Sequence, residues 1–345
     1  MTSQRIVLMG CGAIGGVIAA GLCRAGQDVT IVTHNDEISR AIDHDSLQVT
    51  TPDGRQTVPA PAYTHLADVE GTFDAACLAM KATGVEGAVR DLESRLAPGG
   101  YVVTLQNGIV EDRAGEILGR ARVVGALVGW GATMHAPGVY EMTSRGETVV
   151  GELDGRLTPR LRQVQATLQA AAPATISTNI YGVLWSKLAI NCVITTLGAA
   201  TGQLLGQMLR RRDVRRLALA IISEVVDVAG ACGITLEPVA GTLDLQRLYL
   251  PPARRRGGLS LDLLAKHAIM LAVGFRFRHL KSSMLQSLER GRYPEIDFMN
   301  GYVVDRAASA GVPAPVNAAL AAIVRQIAGG TRPITPANLD ALPEA

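Results

Sequence analysis

The stretch from Arg5 to Arg24 constrains this chain more than any other part of its sequence. Ile6 to Met9 is a short apolar run, typical of a strand that is buried on both faces. The spacing Gly10-x-Gly12-x-x-Gly15 follows it without a gap and leads into an apolar helical segment. Strand, glycine turn and helix in this order indicate a dinucleotide-binding unit, in which a pyrophosphate lies at the helix N-terminus.

The three glycines have separate physical reasons to be there. We expect Gly10 to permit a tight turn, Gly12 to let the backbone approach a pyrophosphate, and Gly15 to let the helix press on the strand. A signal peptide or an ordinary core segment is the alternative, but the glycines interrupt any signal-like apolar run and Asp28 to Thr33 supplies a second strand. Cofactor contacts are therefore predicted along the whole turn, at Gly10, Cys11, Gly12, Ala13, Ile14 and Gly15.

Composition narrows the class of protein. A chain of 345 residues suits two domains, and a net charge of +2 is too small to indicate a nucleic-acid or membrane partner. The five cysteines are odd in number and scattered among apolar residues, so neither a disulfide framework nor a metal site is indicated. No uninterrupted apolar run reaches the length of a membrane span. The expected location is the cytoplasm.

Alternation of strands and helices predicts the first domain, residues 1–178. Phe73 to Met80 and Tyr101 to Leu105 are predicted as buried strands on either side of a helix from Gly84 to Leu96. This alternation is typical of a doubly wound, mainly parallel sheet. Such sheets bind ligands at the carboxyl ends of their strands, where Lys81 and Asn107 fall. A β-hairpin is predicted around residues 52–54 and further strands within residues 123–151.

Helical periodicity dominates from residue 180 onward. The predicted fold is therefore an α/β Rossmann-like N-terminal domain, followed by an all-α substrate or dimerisation domain at residues 179–330 and a tail at 331–345. Its long apolar helices could hold a homodimer interface, but the sequence does not separate that from an intrachain core.

Two charged positions in this helical half are candidates for chemistry. Lys187 and Asn191 lie four residues apart, so a helix places them on one face, and a lysine there is costly to bury without a partner. A lysine that extends to solvent is the alternative. Glu295 and Asp297 follow Pro294, an arrangement that also suits a helix start.

Several separate motifs, in order and with matching spacing, resemble the ketopantoate reductase (2-dehydropantoate 2-reductase) family over nearly the whole chain. They are the glycine turn, Lys81, Gln106-Asn107-Gly108, Lys187-Leu-Ala-Ile-Asn191, Ser282-Ser283-Met284-Leu285-Gln286, Gly291-Arg292-x-x-Glu295-Ile296-Asp297, Asn300-Gly301 and Gly311-Val-Pro-x-Pro-Val-Asn317.

The resemblance implies NADPH-linked reduction of a small 2-oxo acid to a 2-hydroxy acid, with substrate held between the domains, as in pantothenate biosynthesis. Lys187 matches the family's general acid, and Glu295 the carboxylate that supports the lysine and the substrate hydroxyl. Lys81 and Asn107 match residues beside the nicotinamide, with Asn107 also near substrate. Further substrate contacts are implied for Asn191, Thr195 and Ser283.

This chain departs from the family pattern at two places that affect specificity. Many relatives carry an arginine after the second strand for the 2′-phosphate of NADP, whereas Thr33 and His34 stand here; NADP is expected and NAD stays open. Thr195 and Thr196 replace the common Asn-Pro, so the substrate is ketopantoate or another small branched 2-oxo acid. Two alternatives remain: a relative that reduces a different carbonyl or imine, and a non-catalytic dinucleotide sensor.

Overall fold

The computed structural model describes residues 4–238, 244–252 and 260–343. The chain divides into two compact units, Met1–Tyr181 and Gly182–Ala345. Every strand of the described residues belongs to the first unit, and the described part of the second is helical. The predicted fold class, a Rossmann-like domain followed by an all-helical one, is confirmed.

The first unit contains two sheets. Its strands are β1 (Arg5–Met9), β2 (Asp28–Val32), β3 (Leu47–Thr51), β4 (Gly54–Val58), β5 (Ala62–Tyr63), β6 (Phe73–Leu78), β7 (Leu96–Thr104), β8 (Val123–Val128), β9 (Gly131–Ala136), β10 (Val139–Ser144), β11 (Thr148–Glu152) and β12 (Ala174–Ile176). The main sheet has the order β12-β11-β8-β7-β6-β1-β2-β5. Its neighbours pair in parallel except β11 with β8. The carboxyl ends of its parallel strands therefore meet at one edge.

The smaller sheet has the order β4-β3-β10-β9. The expected hairpin is its β3–β4 pair, with Thr51 opposite Gly54. β10 joins β3 in parallel and β9 in antiparallel fashion. The sequence did not predict that this second sheet exists.

The helices of the first unit are α1 (Ala13–Arg24), α2 (Asp36–Asp45), α3 (Val85–Glu93), α4 (Glu111–Leu118) and α5 (Pro159–Leu168). α1 packs against β1 and β2 of the main sheet and against β3, β9 and β10 of the smaller one. The expected end of α3 at Leu96 was wrong. Leu96 begins β7 and pairs with Phe73. It therefore belongs to the sheet, and the helix ends before the proline and glycines that were expected to stop it.

Among its described residues, the second unit has the helices α6 (Ile180–Thr201), α7 (Leu205–Arg210), α8 (Arg212–Ala231), α9 (Leu261–Arg276), α10 (Ser283–Glu289), α11 (Asn300–Ala310) and α12 (Pro315–Ala328). α6 begins two residues inside the first unit. α6 is long and apolar enough to cross a membrane by length and composition, but 78% of its most apolar window is buried inside the protein. Such burial is what a core helix shows.

A buried chain of polar side chains joins α6, α8, α11 and α12. The Thr196 hydroxyl donates to the Asn300 side-chain oxygen (2.6 Å), and the Asn300 amide donates to Asn317 (2.9 Å). Asn317 in turn donates to the Glu224 carboxylate (2.8 Å), which also accepts the backbone N–H groups of Val316 and Asn317. Because each of these buried groups has a partner, the network stabilises one arrangement of the four helices.

Candidate active site

The glycine turn between β1 and α1 has the geometry of a phosphate-binding loop. Gly10 has φ +94°, and a Cβ there would lie 2.5 Å from the backbone nitrogen of Met80. A Cβ on Gly15 would overlap the backbone oxygen of Gly10, so the helix presses directly on the turn. A Cβ on Gly12 would meet nothing within 4 Å. The turn thus leaves open space at the one glycine whose backbone is expected to approach a pyrophosphate, and the partly buried Ala13 and Ile14 open the helix beside it.

A tyrosine from the smaller sheet supports this turn from behind. Tyr140, on β10 and fully buried, donates its hydroxyl to the backbone oxygen of Cys11 (3.0 Å). Its ring occupies the space that a Cβ on Gly16 would need. Burial raises the pKa of the Cys11 thiol to about 12, so this cysteine is a neutral packing group at physiological pH.

Two predicted residues follow neighbouring strands of the main sheet. Lys81 comes three residues after β6 and is exposed, while Asn107 comes three residues after β7 and is partly buried. The Gln106 side chain holds this edge together, since its amide donates to the backbone oxygen of Leu78 (2.9 Å). Both candidates therefore stand at the carboxyl edge of the sheet, the same edge as the glycine turn.

A pair of histidines lies at the carboxyl end of β2. Val32 pairs with Tyr63, and the Thr33 N–H donates to the Tyr63 oxygen (2.9 Å), so β2 and β5 end side by side. His34 and His65, each two residues beyond those paired positions, are both exposed, with ring centroids 6.0 Å apart. Thr33 itself is buried. His65 was not singled out from the sequence.

Lys187 and Glu295 are electrostatically coupled within the helical unit. Lys187 lies on α6 and is partly accessible, and Glu295 opens a short 3₁₀ turn, Glu295–Phe298, with 6% of its surface exposed. Burial lowers the pKa of Lys187 to about 8, and the negative charge of Glu295 opposes that shift. Asp297, two residues further on, pairs instead with Arg325 at 2.7 Å. The charge of the predicted supporting carboxylate therefore acts on the predicted acid.

The other predicted substrate contacts lie along α6 and at the start of α10. The Asn191 side-chain nitrogen, one turn from Lys187, is buried and donates to no group among the residues that the structure describes. The Thr195 hydroxyl donates to the backbone oxygen of Asn191 (2.7 Å), and the Ser282 hydroxyl donates to that of Thr195 (2.5 Å). Ser283 opens α10 and is partly buried. An unsatisfied buried amide usually has an unseen partner, so Asn191 is suited to hold a polar ligand.

A Rossmann-like sheet with an open glycine turn, followed by a helical unit with a lysine on an apolar helix, defines a dinucleotide-dependent oxidoreductase. Models of two adjoining family domains match this chain: Ketopantoate reductase PanE/ApbA at residues 6–155, and Ketopantoate reductase PanE/ApbA C terminal at residues 179–328. The chain belongs to the ketopantoate reductase family.

Three similar proteins match over nearly their full lengths. The 2-dehydropantoate 2-reductase of Archaeoglobus fulgidus is 27% identical over 335 residues, covering 96% of this chain and all of that one. The crystal structure of a PanE/ApbA family ketopantoate reductase from Ralstonia eutropha JMP134 has a TM-score of 0.78 and 28% identity, covering 94% of this chain and 99% of that one. D-Mandelate dehydrogenase, solved with NADH and anilino(oxo)acetate, shares the fold at 19% identity, with a TM-score of 0.77 and coverage of 94% and 99%.

Proposed function

We propose that this chain reduces ketopantoate or a related small 2-oxo acid to the 2-hydroxy acid, with NADPH as the hydride donor. The observation that carries the proposal is the lysine of the helical unit, whose pKa burial lowers to about 8 beside an acidic partner. A general acid works best when its pKa lies near the working pH. A sensor of dinucleotides would need the glycine turn but no such proton donor.

The dinucleotide, when bound, supplies a hydride to the carbonyl carbon. The backbone of the glycine turn and the N-terminus of α1 would hold its pyrophosphate, because Gly12 leaves the backbone open there. Lys81 and Asn107 stand at the same sheet edge, in position to orient the nicotinamide end.

Lys187 donates a proton to the carbonyl oxygen as negative charge develops on it, and its ammonium stabilises that charge before the transfer. Glu295 keeps Lys187 protonated, since its negative charge favours the ammonium form. The unpartnered amide of Asn191, one helical turn away, donates to a substrate oxygen. The family resemblance extends this contact set to Ser283.

The substrate range is expected to differ from that of relatives with Asn-Pro at the Thr195–Thr196 position. Thr195 presents a shorter side chain without an amide, and its hydroxyl proton is committed to the backbone oxygen of Asn191. Thr196 uses its hydroxyl for the buried contact with Asn300. Neither residue can replace an asparagine as a donor to substrate, which favours 2-oxo acids with less polar branches.

The test is an initial-rate survey with ketopantoate and a series of branched 2-oxo acids, followed by NADPH absorbance. Lys187→Ala should lower kcat by roughly 10²–10⁴, the range for loss of a positioned acid. Lys281→Ala is the matched control, because Lys281 makes a surface ion pair with Glu289 (2.6 Å). An effect confined to KM would contradict the role of Lys187. Tight cofactor binding without turnover of any 2-oxo acid would instead favour the sensor.

We infer that the histidine pair, His34 and His65, binds the 2′-phosphate of NADPH. His34 and His65 present two exposed imidazoles at the end of β2, where the adenosine ribose lies in this type of fold. Arg40 on α2 adds a positive charge nearby in sequence, although it pairs with Asp36 at 3.7 Å. No carboxylate ends β2 itself, so the ribose-binding acid typical of NAD enzymes is not at its usual place.

Fluorescence titration with NADPH and NADH tests this preference separately from turnover. A lost charge-assisted hydrogen bond costs about 1.5–3 kcal/mol, so His34→Asn and His65→Asn should each weaken NADPH binding about tenfold or more. NADH binding should change little in both variants. Equal weakening of the two cofactors would show that the histidines act on the fold of the turn rather than on the phosphate.

A further inference from the structure

The loop that carries Asn107, residues 105–110, joins the end of β7 to the start of α4. Asn107 and Gly108 form its tip and are partly accessible, whereas the other four residues are buried. Gly108 has φ +86°, a left-handed conformation that glycine adopts at little cost. This Asn107 loop therefore has buried sides and places one amide side chain at the carboxyl edge of the sheet.

Two buried side chains hold the base of the Asn107 loop. On one side, the Gln106 amide donates to the backbone oxygen of Leu78 on β6 (2.9 Å). On the other, Glu111, the first residue of α4, accepts the backbone N–H of Val110 (2.9 Å). The second carboxyl oxygen of Glu111 lies 2.7 Å from the hydroxyl of Thr104, the last residue of β7. Glu111 thus joins the residue that ends the loop to the residue that precedes it.

The contacts of Thr104 suit a protonated Glu111. The Thr104 hydroxyl lies within hydrogen-bond distance of two acceptors, the Glu111 carboxyl (2.7 Å) and the backbone oxygen of Val124 on β8 (3.3 Å). A hydroxyl has one proton and can accept as well as donate. When Glu111 is protonated, it donates to the Thr104 oxygen, and the Thr104 proton goes to Val124. The neutral acid therefore satisfies every member of this chain, while its other oxygen still accepts from Val110.

The surroundings of Glu111 favour this neutral form. The side chain is 1% exposed, and burial raises its pKa to about 7 against the effect of its hydrogen bonds. The titratable groups that face it are Asp112, next on α4, and Tyr181, at the start of α6. Asp112 already accepts from Tyr181 (2.6 Å) and from Arg120 (3.0 Å). The guanidinium charge is thus paired with Asp112, and the buried carboxyl keeps a proton near neutral pH.

We propose that Glu111 is a positioning residue, which in its protonated form closes the Asn107 loop and so fixes Asn107 beside the nicotinamide. This inference rests on the proposed function, in which Asn107 orients that end of the dinucleotide. If the loop opens, the carboxyl enters water and releases its proton at the ordinary pKa of glutamate, so the closed form binds the proton more tightly. Rising pH through about 7 should therefore shift the loop toward the open form.

Hydrogen exchange of the full chain without ligand, followed by mass spectrometry, tests the closure itself. Glu111→Ala should speed exchange of the amides of residues 105–110 about tenfold or more, as the loss of two hydrogen bonds predicts. Glu111→Gln should keep the wild-type rate, because its amide donates to Thr104 and its oxygen accepts from Val110. Wild-type rates in Glu111→Ala would overturn the closure.

Two further variants control this comparison. Glu116→Ala is the matched control, because Glu116 lies on the same helix, is exposed, and pairs with Arg113 (3.1 Å). It should leave exchange of the loop unchanged. Thr104→Val keeps the shape of the fully buried Thr104 and removes its hydroxyl, which should speed loop exchange even if Glu111→Ala fails to fold. Loop exchange as slow as in wild type in this variant would also overturn the closure.

The pH dependence of exchange separates a proton-linked closure from packing alone. After correction for the intrinsic rate of exchange, protection of the loop amides should fall in wild type from about pH 6 to about pH 8. It should stay level in Glu111→Gln, which has no proton to lose. The amides of β1 serve as the internal reference for global unfolding. The same fall in both proteins would overturn the proton linkage.

Steady-state kinetics with NADPH and ketopantoate connect the closure to the reaction. Glu111→Ala should lower kcat at least tenfold, because a loop that moves leaves Asn107 poorly placed. Glu111→Gln should keep most of the wild-type kcat, and Glu116→Ala should not change it. Full kcat in Glu111→Ala alongside faster loop exchange would overturn the positioning role and leave the proposed reductase standing. Absence of wild-type turnover, with ketopantoate and with the branched 2-oxo acids, would instead overturn the proposed function, and the exchange data would still decide the closure.

Discussion

Replacing Glu295 with glutamine should move the alkaline limit of activity toward neutral pH. Lys187 must be protonated to donate its proton, so activity should be full below the pKa of Lys187 and fall as pH rises through it. The negative charge of Glu295 raises that pKa against the effect of burial. Without the charge, the pKa of Lys187 falls below about 8, and the protonated fraction at pH 7.5 falls with it.

The size of the burial effect sets the scale of the experiment. The pKa of Lys187 drops from 10.5 to about 8, which corresponds to roughly 3 kcal/mol of lost preference for the charged ammonium. In the unmodified chain, the protonated form of Lys187 therefore predominates at pH 7 and is lost as pH rises through about 8. The wild-type alkaline limb should lie near pH 8, within reach of an ordinary buffer series.

The assay is kcat/KM for keto-acid reduction between pH 6 and pH 10, at saturating NADPH. Asp297→Asn is the matched control, because this carboxylate belongs to the same 3₁₀ turn but pairs with Arg325 and accepts from Tyr293 (2.9 Å). The control should keep the limb near pH 8. A wild-type limb near pH 10.5, or a limb that Glu295→Gln leaves in place or moves upward, would refute the coupling.

Four further substitutions probe the cofactor loop and a buried carboxyl group elsewhere in the first unit. Gly12→Ala should leave the melting temperature unchanged but weaken dinucleotide binding, because its Cβ enters the space left for the pyrophosphate. Gly15→Ala should lower both the melting temperature and the affinity for the dinucleotide, since its Cβ overlaps the backbone of Gly10. Calorimetry measures the first quantity and fluorescence titration the second. Tyr140→Phe removes a buried hydrogen bond to the loop and should cost about 1 kcal/mol in urea unfolding, and an unchanged midpoint would count against this bracing role. Burial raises the pKa of Glu111 to about 7, so the folded chain holds a proton that the unfolded chain loses near pH 4.5. The free energy of unfolding should therefore fall as pH rises from about 5 to 8. Glu111→Gln should flatten this dependence, which urea midpoints measure across that range.

Features encoded by local spacing were predictable from the sequence. The glycine turn, the alternation of strands and helices and the helical second half all depend on residues close together in the chain. The sequence indicated Lys187 as a candidate for chemistry because a cation in an apolar helix is unusual. The resemblance to a family then supplied roles that spacing alone leaves open, above all for Glu295, which could equally have been a capping residue.

Features that depend on distant partners could not be predicted in this way. Tyr140 reaches the loop from a strand about 130 residues later, within a sheet whose strand β9 lacks clear alternation of buried and exposed residues. His65 follows a strand of only two residues, too short for any periodic signal.

The contact between Tyr140 and the loop has a consequence for how the enzyme cycles. A reductase of this kind releases a spent cofactor and takes up a fresh one at each round. Because the tyrosine hydroxyl and ring hold the turn in shape without help from a ligand, the loop need not be reassembled on each exchange. The smaller sheet thus keeps the loop in one conformation while the cofactor binds and leaves.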